Sequence, residues 1–196
     1  MYNICIISRE VFMKYYELGL QRKKEIEDGL LELMVQQAFW SITVTQLTKH
    51  LGISRKCFYD YFPDKEACLE SLIDRKIQEA ALYVTVSQPN AGNRMSRYIM
   101  NLEFWKEQHI FLGAIHNNHR HEVFLNRCMQ HVIKEEKALH ASMDTPEVKF
   151  DEDILYFCIN GELGLLIRWY LRGFDTPVEV MAKKCMRLHL EPLIKA

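Results

Sequence analysis

The residues best suited to chemistry lie in one stretch, LTKHLGISRKCFYDYFPDKEACLESL, which spans residues 47–72. It holds the cationic pair Arg55–Lys56 and four aromatic residues between two runs of apolar residues at helical spacing. Two further lysines, Lys49 and Lys65, extend the basic patch. Cationic side chains neutralise phosphate, and an arginine fork can hold a guanine edge. The chemistry indicated is therefore nucleic-acid binding.

Turn and capping signals predict how this stretch is folded. Thr43 and Gln46 make the capping box Thr-x-x-Gln, which begins a helix. Gly52 ends that helix because glycine adopts the left-handed conformation without a steric penalty, and Ser54 can cap a second helix. Two short helices joined by a glycine turn are typical of a helix-turn-helix, whose second helix enters the major groove. The predicted elements are a helix from Thr43 to Gly52, a helix from about Arg55 to Tyr61, and a helix capped by Asp64.

The segment TVTQLTKHLGISRKCFYDYFPDKEACL (43–69) resembles the DNA-binding signature of the tetracycline-repressor (TetR) family of transcriptional regulators. The shared features are the opening threonine, Gly-hydrophobic-Ser at the turn, Phe-Tyr-x-x-Phe at 58–62, and Lys-Glu at the start of the fourth helix. The resemblance covers the N-terminal third and implies a C-terminal helical domain for ligand binding and dimerisation. The sequence departs from the family pattern in four places. Lys56 and Cys57 stand where a small residue is frequent, and Thr48 and Leu51 where alanine is common, which would change the helix packing.

Position and resemblance together predict the DNA-binding residues. Arg55 is the candidate for reading a base edge, and Lys56 for a phosphate or a base. Tyr59 matches the family tyrosine whose hydroxyl donates to phosphate, and Tyr61 would do the same on the next turn. Phe58 and Phe62 are predicted to be core residues. The full predicted set is Thr43, Thr45, Gln46, Ser54, Arg55, Lys56, Tyr59, Tyr61 and Lys65.

Two of these residues, Thr43 and Lys65, are included because they lie at helix N-termini. Backbone N–H groups and the helix dipole favour a phosphate there. For Thr43 a purely structural role as a cap is the alternative.

The rest of the chain predicts an all-α protein. Apolar residues recur at helical spacing nearly everywhere, and no segment alternates over a strand's length between hairpin turns. The cluster SQPNAGN (87–93) is the best candidate for a boundary between two units. The predicted domains are an N-terminal extension (1–20), forming either a short extra helix or a flexible arm, a helix-turn-helix domain (21–86), and a helical ligand-binding and dimerisation domain (87–196).

The C-terminal domain is predicted to form the dimer. Residues 151–174 make a helix that is apolar on nearly all sides, and such a helix is buried in a core or at an interface. Paired with the helix at 177–193 and a symmetry-related copy, it would form a four-helix interface. The predicted interface residues are Ile154, Cys158, Gly161, Leu165, Met181 and Cys185.

Aromatic residues of the same domain predict a mostly apolar ligand pocket, with ordinary core packing as the alternative. The predicted lining is Phe104, Trp105, Phe111, Phe124, Tyr156 and Asn160. The run HNNHRH (116–121) has the ligand chemistry of a metal site through His116, His119 and His121, but nearby acidic or cysteine partners are sparse. A polar loop between helices is the favoured interpretation, and neither a metal nor a cofactor is expected.

Composition limits the remaining classes of function. The net charge is −1, so electrostatic recognition must be local, and the six scattered cysteines form no C-x-x-C and are expected to be reduced thiols. No nucleophile–base constellation, Gly-rich phosphate loop or H-E-x-x-H motif occurs, so no enzymatic activity is expected. The N-terminus lacks signal-peptide features, and no apolar run approaches the roughly 20 residues of a membrane span.

The sequence therefore predicts a cytoplasmic, homodimeric repressor that binds a palindromic operator through residues 43–65 and is released by a small, mostly apolar effector. The alternative is a helical protein-interaction adaptor of the same fold that no longer binds DNA. Retention of the Arg55, Lys56, Tyr59 and Lys65 set favours the regulator.

Overall fold

The computed structural model describes residues 2–87, 94–143 and 152–194, and within them every element is helical. This confirms the predicted all-α class. A 3₁₀ turn, Phe39–Ser41, lies between the first two α-helices. The α-helices are α1 (Tyr2–Gln36), α2 (Val44–Leu51), α3 (Arg55–Tyr59), α4 (Lys65–Ser87), α5 (Arg94–Glu107), α6 (His109–Asn117), α7 (His121–Met143), α8 (Glu152–Leu171) and α9 (Val178–Ile194).

The chain forms two compact units, Met1–Leu72 and Ile73–Ala196, and the boundary falls inside α4. The sequence placed it instead between residues 86 and 87, beside a cluster that, apart from Ser87, lies outside the described residues. Glycine, proline and asparagine mark where helices end, whereas a unit boundary depends on what each part of a helix packs against. The buried Cys68, Leu69 and Leu72 lie in the first third of α4, which belongs to the N-terminal unit.

The N-terminal extension is neither a separate helix nor an arm, because α1 runs without a break from Tyr2 to Gln36. Glycine inside a helical pattern is tolerated at a modest energetic cost, and Gly19 does not interrupt this helix. Among the side chains of α1 that the structure describes, from Met13 onward, the buried stripe begins at Ile26 and continues through Leu30, Leu33 and Met34. The core of the N-terminal unit is therefore built on the second half of α1.

Leu51, one of the departures from the family pattern, is accommodated by a glycine in α1. A Cβ atom at Gly29 would lie 2.6 Å from Cδ2 and 2.9 Å from Cγ of Leu51, closer than van der Waals contact permits. The absent side chain of Gly29 is thus the space that the Leu51 side chain fills. The sequence predicted that Leu51 would change the helix packing, and the space for its side chain comes from Gly29, which lies outside the helix-turn-helix.

This contact predicts that Gly29→Ala has opposite effects on the free energy of unfolding in the native chain and in a Leu51→Ala background. Gly→Ala inside a helix normally stabilises by about 1 kcal/mol. We expect Gly29→Ala to destabilise the native chain by on the order of 1 kcal/mol because the new methyl group displaces Leu51. In a Leu51→Ala background the same substitution should stabilise. Urea unfolding of the four proteins measures the coupling, and additive effects would contradict the proposed contact.

The C-terminal unit contains a packed aromatic cluster and a fixed turn between α8 and α9. The indole Nε1 of Trp169 donates to the carbonyl of Thr176 at 2.9 Å, and the Trp169 ring lies edge-on to Phe174. Gly173 and Phe174 both have positive φ, of 65° and 57°. Only one of them is a glycine, so the Trp169 contacts hold Phe174 in a backbone conformation that a phenylalanine rarely adopts.

The segment Asp153–Leu171 of α8 is long and apolar enough to cross a membrane by length and composition, and only 17% of it is buried within the chain. The sequence expectation that no segment reaches this threshold is therefore wrong for α8. Much of the apolar surface of α8 has no covering in the described part of the chain.

Candidate nucleic-acid interface

The first helix of the helix-turn-helix, α2, is capped at both ends as predicted. Thr43 Oγ1 accepts from the Gln46 N–H at 3.1 Å, and Gln46 Oε1 accepts from the Thr43 N–H at 2.8 Å. Gly52 ends α2 in the left-handed conformation, with φ 65°. Thr43 Oγ1 also donates to Gln46 Oε1 at 3.0 Å, so the Thr43 hydroxyl is occupied by its cap role. Gln46 keeps its exposed amide nitrogen as the group that could meet DNA.

The second helix, α3, is shorter than predicted. Ser54 caps it by accepting from the Cys57 N–H at 3.1 Å, and Asp60 ends it. The predicted last turn is replaced by a bend in which the Tyr61 N–H donates to the Phe58 carbonyl at 3.0 Å. The short α3 is fixed by burial of Phe58 and Phe62, which are core residues as predicted. Asp64 caps α4 as predicted, accepting from the Ala67 N–H at 2.7 Å.

Arg55 and Tyr59 form a pair on the exposed surface of α3. Arg55 Nη2 lies 3.4 Å from the Tyr59 hydroxyl, and the guanidinium carbon lies 5.8 Å from the centre of the Tyr59 ring. The spacing of four residues places both side chains on one helix face. The contact restricts where the guanidinium can point while leaving most of its donors open. Lys56 is exposed beside them, and Tyr61 is half-buried.

Lys65 is the clearest correction to the predicted DNA-binding set. Its Nζ donates to the carbonyls of Phe39, Trp40 and Ile42 at 2.9, 3.3 and 2.8 Å. It also lies 4.7 Å from the centre of the Phe39 ring. An ammonium group has three donors, and all three are used inside the unit. Lys65 therefore holds the 3₁₀ turn and has no donor left for a phosphate.

The remaining predicted DNA-binding residues, apart from the half-buried Tyr61, are exposed. Thr43, Thr45, Gln46, Ser54, Arg55, Lys56 and Tyr59 are exposed. One residue that the sequence did not identify is exposed close by: Trp40, in the 3₁₀ turn, three positions before Thr43. The only feature of the sequence that could have indicated Trp40 is its large aromatic side chain, and its neighbours Phe39 and Ile42 are both buried. A turn of three residues has no periodicity from which exposure could be read.

The predicted dimer residues divide into two groups. On α8, Ile154 and Gly161 are exposed and Cys158 and Leu165 are half-buried. On α9, Met181 and Cys185 are 5% and 3% exposed and belong to the core of their own unit, so the prediction fails for these two. A helix with two apolar faces presents one inward, and the sequence did not show which. Phe157, which was not among the predicted interface residues, is 67% exposed at helical spacing from Ile154 and Gly161.

The predicted pocket residues also divide. Phe104, Trp105, Phe111 and Phe124 form one buried cluster, with neighbouring ring centroids 5.2–6.0 Å apart. Tyr156, however, is 51% exposed, and the Asn160 side-chain amide donates to the Tyr156 carbonyl one helical turn away at 3.0 Å. Aromatic residues of α5–α7 turn inward, whereas this part of α8 turns outward.

A carboxylate that the sequence did not identify lies inside the C-terminal unit. Glu162 is hydrogen-bonded to Tyr98, and burial and this carboxylate raise the pKa of the Tyr98 hydroxyl. Burial, followed by Glu162, also raises the pKa of the Cys128 thiol to about 12 and of the Cys185 thiol to about 11. These two cysteines are therefore neutral thiols at physiological pH. The available signal was an acidic residue in the middle of an apolar helix.

The histidine run forms a contact between the end of α6 and the start of α7. His116 Nδ1 and His121 Nε2 lie 3.2 Å apart, and His119 occupies the turn with φ 55°. Within the described residues, no group of three or more possible ligands is arranged to hold a metal ion. Burial and then the charges of His116 and His119 lower the pKa of His121.

The lowered pKa of His121 predicts destabilisation by acid. The unfolded chain binds the proton more readily, so the stability contributed by neutral His121 is present above the ordinary histidine pKa of about 6.5. It is lost as the pH falls through the lower pKa of the folded state. We expect the urea midpoint to fall between pH about 7.5 and about 5.5, and to fall less in His121→Gln. His109→Gln, at an exposed position of α6, is the control and should behave like the native chain.

A capped helix, a left-handed glycine and a second capped helix with exposed cationic and aromatic side chains define a helix-turn-helix DNA-binding domain. Residues 26–72 match the family model described as bacterial regulatory proteins, tetR family. This match lies within the N-terminal unit and confirms the resemblance predicted from the sequence. HTH-type transcriptional regulator EthR of Mycolicibacterium smegmatis is 52% identical over 62 residues, which make up 32% of this chain and 29% of that protein. The matched stretch thus spans less than a third of this relative.

Solved structures extend the fold comparison beyond the N-terminal unit. The fatty acid degradation regulator FadR of Bacillus halodurans has a TM-score of 0.55 at 15% identity, covering 86% of this chain and 94% of that one. A tetR-family transcriptional regulator from Streptomyces coelicolor has a TM-score of 0.51 at 16% identity, covering 86% and 78%. At this level of identity the comparison establishes the fold, which is that of tetR-family regulators.

Proposed function

We propose that the chain is a homodimeric transcriptional repressor that binds a palindromic operator through its helix-turn-helix and is released by a small effector. The observation that carries this proposal is that α3 is held in a fixed position with its cationic and aromatic side chains exposed. Caps at Thr43, Ser54 and Asp64 and the buried Phe58 and Phe62 fix a five-residue helix that would not persist alone. Arg55, Lys56 and Tyr59 are exposed on this fixed helix, as direct contact with DNA requires.

The side chains of α3 divide the work of recognition. Arg55, partly oriented by Tyr59, reads a base edge, since its fork matches the two acceptors of guanine. Lys56 and the Tyr59 hydroxyl contact phosphates, which position the helix without selecting a sequence. Thr45 and the amide nitrogen of Gln46 contribute from the exposed surface of α2. Lys65 contributes indirectly by fixing the 3₁₀ turn.

Dimerisation through α8 would supply a second helix-turn-helix. Gly161 and Gly164 are exposed, and no atom within the described part of the chain would lie within 4 Å of a Cβ at either. Glycine costs about 1 kcal/mol relative to alanine within a helix, and no neighbour among the described residues explains the choice at these positions. Close approach of the same helix from a second copy does. Exposed Ile154 and Phe157 would be covered by that contact, and two half-sites about one helical turn apart follow from the symmetry.

The effector would bind in the C-terminal unit, beside the Phe104–Trp105–Phe111–Phe124 cluster. Apolar walls with few polar groups are typical of small-molecule sites. Glu162, hydrogen-bonded to Tyr98, supplies a polar group inside the unit. To release DNA, the effector must bind the non-binding conformation more tightly than the binding one. A cytoplasmic location follows from this function.

A gel shift at several salt concentrations tests the proposal. The probes are the duplex upstream of the chain's own gene and a scrambled duplex of equal length. We expect the native chain to prefer the upstream duplex, with log affinity falling linearly with log salt. Arg55→Ala should reduce the preference while keeping weak binding to both duplexes. Failure to bind either duplex at low salt would overturn the proposal in favour of a protein-interaction adaptor.

A further inference from the structure

We infer that Trp40 is an additional DNA contact, in which the indole ring packs on the sugar–phosphate backbone at the edge of the operator and its N–H donates to a phosphate. The inference rests on the proposed DNA-binding function and adds a residue that neither the capping pattern nor the recognition helix indicates. Trp40 is 81% exposed, more than any other large apolar side chain among the described residues.

The turn that carries Trp40 is held from both sides. Phe39 and Ile42 are each 1% exposed, and the Ser41 hydroxyl donates to the Ala38 carbonyl at 2.7 Å. Lys65 Nζ donates to the carbonyl of Trp40 itself and to those of Phe39 and Ile42. The backbone of residues 39–42 is therefore fixed, while the indole it carries packs little against its own unit. A rigid turn with an exposed aromatic side chain is pre-organised for a partner, because little freedom remains to be lost on binding.

The position of Trp40 makes DNA the fitting partner. Trp40 lies three residues before Thr43, the N-cap of α2, and is joined through its carbonyl to Lys65, the first residue of α4. Trp40 is thus close in the chain to the exposed residues of α2. Residues 39–65 contain four basic and two acidic residues, so the local charge favours a polyanion.

The chemistry of the indole fits a nucleic-acid backbone. The indole Nε1–H is a donor with no acceptor capacity, and phosphate oxygens are acceptors only. The ring supplies an apolar face for the deoxyribose. A contact of this kind carries no sequence information and should affect all duplexes alike. Trp40 is thus assigned to affinity, and Arg55 to specificity.

Tryptophan fluorescence tests the inference directly. The chain has three tryptophans, and Trp105 and Trp169 are buried, so the long-wavelength, acrylamide-accessible emission belongs to Trp40. We expect a scrambled duplex at low salt to reduce acrylamide quenching of this emission, and Trp40→Phe to remove the accessible component. Trp40→Ala should weaken binding to specific and scrambled duplexes by a similar factor, about tenfold, because a phosphate hydrogen bond and a ring contact are lost.

Controls separate a failure of this inference from a failure of the proposed function. Val35→Ala, another exposed apolar position in the N-terminal unit, should leave DNA affinity unchanged. The melting temperature of Trp40→Ala should match that of the native chain, since the side chain is exposed. Native binding to DNA with unchanged Trp40 quenching and unchanged Trp40→Ala affinity would overturn the inference alone. Absence of native binding to any duplex at low salt would overturn the proposed function and the inference with it.

Discussion

Replacing Lys65 with methionine is expected to lower the free energy of unfolding by about 2–3 kcal/mol, because three backbone carbonyls lose a charged donor. Methionine keeps the length of the apolar stem, so the effect isolates the ammonium group. The carbonyls of Phe39, Trp40 and Ile42 would then depend on water, and the 3₁₀ turn before α2 would loosen. Urea unfolding followed by circular dichroism measures the loss.

Lys56→Met is the matched control, with the opposite expected outcome. Lys56 is exposed on α3, so its removal should change stability by less than about 0.5 kcal/mol. It should reduce the slope of log affinity against log salt by about one, since one phosphate contact is lost. At temperatures where Lys65→Met remains folded, its salt slope should equal the native one. A native melting temperature together with a reduced slope in Lys65→Met would restore Lys65 as a phosphate ligand.

Phe157→Lys is expected to raise the dissociation constant of the proposed dimer by a hundredfold or more, because the proposed interface would bury a charge among apolar groups at a cost on the order of 3–5 kcal/mol. Loss of the dimer should also weaken binding to a two-half-site operator, while single half-sites are bound as before. Sedimentation equilibrium and gel shifts with full and half operators measure the two effects.

Two further variants test whether the interface is on α8. Ile110→Lys places the same charge at another exposed apolar position, on α6, and should leave the dimer intact. Gly164→Ala should raise the stability of the monomer, because alanine favours the helix, while weakening the dimer, because the methyl group occupies the space of close approach. A dimer unaffected by Phe157→Lys would place the interface elsewhere.

Local patterns in the sequence predicted the structure of the helix-turn-helix well. The caps at Thr43, Ser54 and Asp64 each join residues three positions apart, and the left-handed turn at Gly52 follows from the glycine itself. The burial of Phe58 and Phe62 followed from the same spacing. These features depend on short-range hydrogen bonds and helical periodicity, which a single sequence displays directly.

Features that depend on contacts distant in sequence were not predictable in this way. The bond between Lys65 and Phe39 spans 26 residues, and a lysine at a helix start looks the same whether it faces a phosphate or a carbonyl. Met181 and Tyr156 show the same difficulty for helices with two apolar faces. The pattern indicated that both faces were apolar, but only packing against the other helices decided which one was inward.

The fit of Leu51 against Gly29 limits how far DNA specificity can be transferred between relatives. A graft of residues 43–62 alone would carry a new recognition helix but leave behind the glycine that makes room for position 51. A donor with alanine at that position would open a void against α1, and the reverse graft would produce a clash. A segment exchanged to transfer specificity would therefore have to include Gly29 of α1 as well as α2 and α3.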